Sequence, residues 1–374
     1  MANPAGRIRI SSARAGWTEA GTAPALAPAR KTPIFAIEAG GPLATEDASS
    51  MPSTEWEIPA NLQPDPSDYP YDLERALRAV VGLKCYIPPD AFTASTLGTE
   101  RAGSGVVIRD TGLVATIGYL VTEAETIWIT SGDGRAIPGH ALAYDQETGF
   151  GLVQALGRLD LPALEIGDSD ALKVGDQAVF AAYGGRGHAV ETRVVGRQEF
   201  AGYWEYVLDD AIYTAPAHPF WGGCGLIGGD GKLMGTGSLI LQQGDGKGRR
   251  LDMNMVVPIG YLSPIIDDLL SYGRVNRPAR PWLGMYATES DDAIVVGGLS
   301  EKGPAEAAGV RAGDRILSVN GEEITDLGSL WRRVWASGSA GAEVRLRVMR
   351  EAGAANVTIR SADRGKFLKS PKLH

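Results

Sequence analysis

The sequence predicts a mainly β protein in two units: an all-β barrel or sandwich over residues 82–257, then a smaller unit of strands and two helices over 281–362. Three observations predict it. Short β-prone runs such as Gly105-Val106-Val107-Ile108, Thr126-Ile127-Trp128-Ile129-Thr130 and Gln177-Ala178-Val179-Phe180-Ala181-Ala182 recur at regular spacing between turn residues. The 374 residues include 49 glycines and 22 prolines, well above ordinary usage, which suits a turn-rich β protein better than a helical bundle. A Pro- and Arg-rich stretch from Arg274 to Pro281 separates the two units.

Taken in order, residues 1–66 are rich in Ala, Pro, Gly, Ser and Thr and read as a flexible arm. Within it Thr32-Pro33-Ile34-Phe35-Ala36-Ile37 is apolar enough to dock on a partner. Leu73, Ala76, Leu77 and Val80 fall at helical spacing, so a short amphipathic helix is expected over Tyr71–Val81. Turns are expected at Asp110-Thr111-Gly112, Gly132-Asp133-Gly134 and Gly229-Asp230-Gly231. A helix over 258–272 carries Ile265, Ile266, Leu269 and Leu270 on one side. In the second unit Pro304 opens a helix that Gly309 closes, and Asp326 caps a helix bearing Leu330, Val334 and Trp335. The end, Asp363–His374, reads as a loose basic tail.

Composition narrows the function. The net charge of −9 argues against nucleic acid or an anionic membrane as the main partner. No run approaches the roughly 20 apolar residues of a membrane span. None of the four histidines has a His, Cys or carboxylate neighbour at metal-ligand spacing, so no metal or other cofactor is expected. Cys85 and Cys224 are too few and too isolated for a disulfide framework, and Cys85 reads as a buried thiol.

The motifs are more specific. Gly103-Ser104-Gly105-Val106-Val107-Ile108 followed by Asp110 to Thr116, then Asp145-Gln146-Glu147-Thr148, then Leu164 to Asp170 with Val174-Gly175-Asp176, resemble successive segments of the HtrA/Deg serine proteases. Gly231-Lys232-Leu233-Met234-Gly235 resembles the strand after that family's nucleophile loop. Arg280-Pro281-Trp282-Leu283-Gly284 resembles its junction into a PDZ domain. Gly303-Pro304-Ala305 to Ala308-Gly309-Val310, then Gly313 to Gly321, resemble a bacterial PDZ signature. The resemblance spans about 74–362. It implies a trypsin-like double six-stranded β-barrel over 67–272, a linker over 273–280 and one α+β PDZ domain over 281–362.

The same resemblance puts the catalytic chemistry in question. A serine protease needs a nucleophilic serine, a histidine to take its proton and an aspartate to orient the imidazole. The family's histidine position falls on Tyr119, its aspartate position on Gly149 and its serine position on Gly222, nine residues before Gly231. This implies a pseudoprotease, not an active endopeptidase. An alternative makes Cys224 the nucleophile, because Gly222-Gly223-Cys224-Gly225 resembles the loop of chymotrypsin-like cysteine proteases. That register slips by two residues and supplies no histidine at Tyr119. Tyr119 is expected to fill the vacated cleft, and Phe220, Trp221, Tyr203 and Trp204 to plug it or grip a peptide. His188 reads as a solvated loop residue, Asp145 as a turn residue and Asp209-Asp210 as an exposed charge pair.

The PDZ resemblance implies binding of protein C-termini or unfolded segments. A peptide adds as a strand to a sheet edge and backbone amides capture its terminal carboxylate. Trp282, Leu283, Gly284 and Met285 form the expected carboxylate loop and binding strand, with Leu330 and Val334 facing the last side chain. For Leu330 and Val334 ordinary core packing is the other reading. The family's habit implies a homo-oligomer, a trimer, built through the segment before the first barrel, so a structural subunit of an oligomeric assembly is a further alternative to a peptide-binding scaffold or adaptor. The N-terminus lacks the apolar stretch of a secretory signal, which suggests the cytoplasm, whereas the resemblance suggests the periplasm.

Overall fold

Alternating side chains and tight turns between 80 and 258 close two barrels. A computed structural model describes residues 56–244, 250–290 and 293–369. The first barrel holds β1 (Val80–Tyr86), β2 (Glu100–Arg109), β3 (Leu113–Ile117), β4 (Thr126–Thr130), β5 (Ala136–Tyr144) and β6 (Phe150–Ala155), in the closed order β1-β2-β3-β6-β5-β4. The second holds β7 (Gln177–Ala181), β8 (Ala189–Gly202), β9 (Tyr206–Ala215), β10 (Gly225–Gly228), β11 (Leu233–Gly244) and β12 (Arg250–Pro258), closed as β10-β11-β12-β9-β8-β7. Closure leaves neither sheet an edge to pair with another chain. Pairing within both barrels is antiparallel, with bulges at Val107/Arg109 and Gly237/Leu239 that bend the strands around the barrel.

The C-terminal unit is one sheet of β13 (Met285–Ser290), β14 (Ala293–Leu299), β15 (Arg315–Val319), β16 (Glu322–Glu323), β17 (Glu343–Arg350) and β18 (Gly353–Arg360). β13 is an edge strand whose one sheet neighbour is β14. The helix Leu327–Trp335 packs beside it, started by a capping box between Asp326 and Ser329. Its Leu330, Trp331 and Val334 are fully buried with Leu283, Met285 and Ile316.

Several local expectations change. The helix expected over 71–81 ends at Arg78, because the β-branched pair Val80-Val81 is drawn into β1 opposite Val106 and Gly105. The helix expected over 258–272 is a short 3₁₀ turn at Ile259–Tyr261 and an α-helix at Ile266–Tyr272 closed by Gly273. The last residues of the expected flexible arm are packed: Ile58 is buried, donates its amide to Gly187 O at 2.7 Å, and Trp56 stacks on His188. Residues 363–369 of the expected loose tail are docked too. Phe367 packs against Phe92 and Trp282, and Lys369 donates its amide to Glu123. The segment 32–37 lies outside the described residues.

Candidate functional site

An apolar cleft of about 380 Å³ runs between the barrels and reaches the C-terminal unit. Tyr119, Gly222, Phe220 and Trp221 floor it, β11 lines it through Ser238–Leu241, and Tyr203, Trp204 and Tyr286 close one end. The strand end Thr116-Ile117 feeds a single helical turn, Gly118–Val121, which points Tyr119 into the cleft. The Tyr119 hydroxyl donates to Ser238 O at 3.1 Å, and burial holds its phenol well above the ordinary range. A Cβ built on Gly222 would meet that hydroxyl at 2.8 Å, so the two positions face each other directly. Gly149 sits at the end of an Asp145 turn and accepts the Gly118 amide at 2.7 Å; its φ of +85° suits glycine. Asp145 holds that turn by accepting from the Thr148 amide and hydroxyl.

The loop before β10 is fixed from below. His218 is fully buried and its amide and carbonyl bond the Asn254 side chain. The Phe220 amide can only donate, so His218 Nδ1, 3.0 Å away, is the bare nitrogen, and Nε2 donates to His188 O at 3.1 Å. Both ring nitrogens are thereby used, and burial lowers the imidazole pKa to about 4. Gly223 follows at φ +77°, where a Cβ would meet Ser104 O at 1.9 Å; this is a position only glycine fills. Cys224 is 1% exposed, donates to Phe220 O at 3.0 Å, and burial pushes its thiol up to about 12. A thiol so placed is neither ionised nor reachable. Cys85 is likewise buried, its thiol pushed up to about 12.

One expectation is corrected here. His188 is buried, because Trp56 lies over it in a stacked pair at 5.9 Å. Asp209 is exposed and Asp210 half-exposed, and each has an ion-pair partner: Asp210 with Arg197, Asp209 with Arg332 of the C-terminal helix.

The second constellation is the loop 282–285. Gly284, at φ +71°, turns the chain so that the amides of Leu283, Gly284 and Met285 converge. They converge on the carboxylate of Glu205, at 3.1, 2.8 and 3.1 Å. Trp282 is buried between Phe92 and Phe367, where it packs the domains together. Leu330 and Val334 are fully buried. Tyr203 was expected in the cleft; Glu205 and Arg101 escaped the sequence reading. Arg101 is buried and braces the cleft wall through the Tyr119 and Thr122 carbonyls and the Thr93 hydroxyl. The turn in Tyr203-Trp204-Glu205-Tyr206 was legible only as an aromatic cluster, since nothing local links Glu205 to residues about eighty positions away.

Comparison with known proteins follows the same division. The model of the trypsin-like peptidase domain matches residues 103–235, and that of the PDZ domain matches 281–360. The periplasmic serine endoprotease DegP of Escherichia coli strain K12 is 27% identical over 278 residues, 69% of this chain and 56% of DegP. A probable DegP-like periplasmic serine endoprotease of Halomonas elongata is 26% identical over 274 residues, 70% of this chain and 56% of its own. The chain thus spans about half the length of the curated relatives it matches. A solved structure of the HtrA-type protease AlgW with a decapeptide aligns over 80% of this chain and 98% of AlgW, at 21% identity and a TM-score of 0.47.

Proposed function

We propose that this chain, a homologue of the HtrA/DegP-type serine endoproteases that joins a trypsin-like peptidase domain to a PDZ domain, works as a peptide-binding scaffold without protease chemistry. One observation carries the reading. Among the described residues, no His, Cys, Lys or Asp lines the cleft between the barrels. Tyr119 and Gly222 meet where the resemblance expects a base and a nucleophile. Three triad members act as a unit, so losing them leaves at most about 10³–10⁴ of the rate over water, from oxyanion stabilisation and binding. Even that remnant is weakened, because the Phe220 amide beside the nucleophile position is spent on His218 Nδ1. The Cys224 reading is disfavoured by a sealed, protonated thiol.

What supports binding is the C-terminal unit. The sheet-edge strand β13, a loop of convergent amides and a flanking helix are the parts that capture a peptide carboxylate. Incubation of the purified chain with casein for many hours tests the proposal. No cleavage is expected, and unchanged behaviour in Cys224→Ala. Cleavage that survives repurification would overturn it.

A further inference from the structure

The groove that should receive a peptide is already filled, and by this chain. The turn joining β8 to β9 runs between the β13 edge and the helix Leu327–Trp335. Ala287 donates its amide to Tyr203 O at 2.9 Å, and Trp331 Nε1 donates to Gly202 O at 2.8 Å. Glu205 is 4% exposed and accepts all three loop amides. Residue 203 thus lies opposite 287 and residue 205 opposite 285, the antiparallel sense of a peptide added to a sheet edge. Just beyond, Val207 is buried in the same apolar cluster as Leu283, Leu330 and Val334.

Two features mark Glu205 as held there against its own preference. Its φ is +56°, the left-handed region, which a non-glycine residue adopts only at a cost. Its carboxyl is desolvated, which outweighs the amide bonds and raises its pKa to about 7; Arg364 is the charge that opposes the rise. Such a strained, buried acid persists only where its surroundings over-determine it.

We infer that the β8–β9 turn is a built-in stand-in for a peptide ligand, the Glu205 side chain replacing a terminal carboxylate, so that an outside peptide must displace it to enter. The inference rests on reading the groove as a peptide site. It also names the ligand: a free C-terminal carboxylate with an aromatic residue two positions before it, where Tyr203 now lies 6.0 Å from the Tyr286 ring. Tyr203 and Trp204 line the interbarrel cleft as well, so one turn forms a wall of both cavities. A chain that fills the cleft and moves this turn would free the groove. If the groove is open only a fraction of the time, the apparent affinity falls by that fraction.

The test uses the full chain as wild type, Glu205→Ala and Glu205→Gln. Each is titrated by fluorescence anisotropy with a decapeptide ending in Tyr-Trp-Val, as the free acid and as the C-terminal amide. Hydrogen exchange is followed in parallel over 282–287. The expected result is slow exchange of the 283–285 amides in the wild type. Exchange should be faster in Glu205→Ala, which binds the free acid at least about tenfold more tightly than wild type and ignores the amide. Glu205→Gln keeps the shape without the charge and should fall between. Fast wild-type exchange, or equal affinity of wild type and Glu205→Ala for the free acid, overturns the inference and leaves the peptide-site reading standing. Protection that is lost in Glu205→Ala while no form binds the peptide overturns the peptide-site reading and reduces the turn to a structural joint. The wild-type exchange measurement decides the contact even where a variant does not fold.

Discussion

At the residue scale the side chains in and beneath the cleft are fully spoken for. Tyr119 donates to Ser238, His218 uses both nitrogens, and Cys224 is closed off, so restoring one catalytic group restores nothing. Gly222→Ser should therefore show no casein cleavage above the wild-type background. A measurable gain would mean that a base had been overlooked. His218 also sets a pH response. Its pKa is about 6.5 unfolded and about 4 folded, so between those values the unfolded chain takes up a proton that the folded one refuses. Folding stability contributed at this site is complete above pH 6.5 and is lost as pH falls toward 4, by about 2 kcal/mol at pH 5. Urea unfolding at pH 7 and pH 5 should show a smaller acid loss in His218→Gln than in wild type; equal losses would count against it.

At the scale of elements, sequence signals were reliable where the local and the tertiary preference agreed. Asp326 followed by Ser329 starts the helix Leu327–Trp335 at the residue the pattern named. Asp326→Ala should cost about 1 kcal/mol, read as a lowered thermal midpoint, since it leaves the Ser329 amide without its cap. Where the two preferences disagreed, packing won. Val80 has helical spacing from Leu73 and Leu77, yet pairing with Val106 buries it in the barrel, and the helix stops short. The β8–β9 turn is the other such case. A glycine would ease φ +56° at position 205, but the three amides of the loop at 283–285 need an acid there.

At the scale of the whole molecule, several contacts besides the filled groove tie the C-terminal unit to the barrels. Glu147 pairs with Arg277 at 2.5 Å and Arg280 at 2.8 Å, and Arg280 lies over the Trp335 ring. Arg332 pairs with Glu199 and Asp209. Phe367 fills the space between Phe92 and Trp282. Glu147 is the most buried member of the linker cluster, so Glu147→Ala leaves two guanidinium groups unpaired. It should speed hydrogen exchange at 283–285 relative to wild type. Unchanged protection would show that the groove is held by the turn alone.

The sequence by itself determined the architecture. Short β-prone runs and Asp-Gly turns specify an all-β barrel or sandwich and a smaller unit, because strand pairing follows from alternation and turn chemistry along the chain, and the motif resemblance adds that the first unit is two closed barrels. The resemblance of its motifs to the HtrA/Deg proteases pointed to Tyr119, Gly149 and Gly222 as the triad positions. Only the tertiary structure decided what surrounds them and what fills the groove. Glu205 meets the amides of 283–285 across nearly eighty residues, and His188 is covered by Trp56 from another segment. Such contacts depend on how finished units dock, and docking is governed by shape, burial and hydrogen-bond satisfaction at surfaces that no local pattern describes.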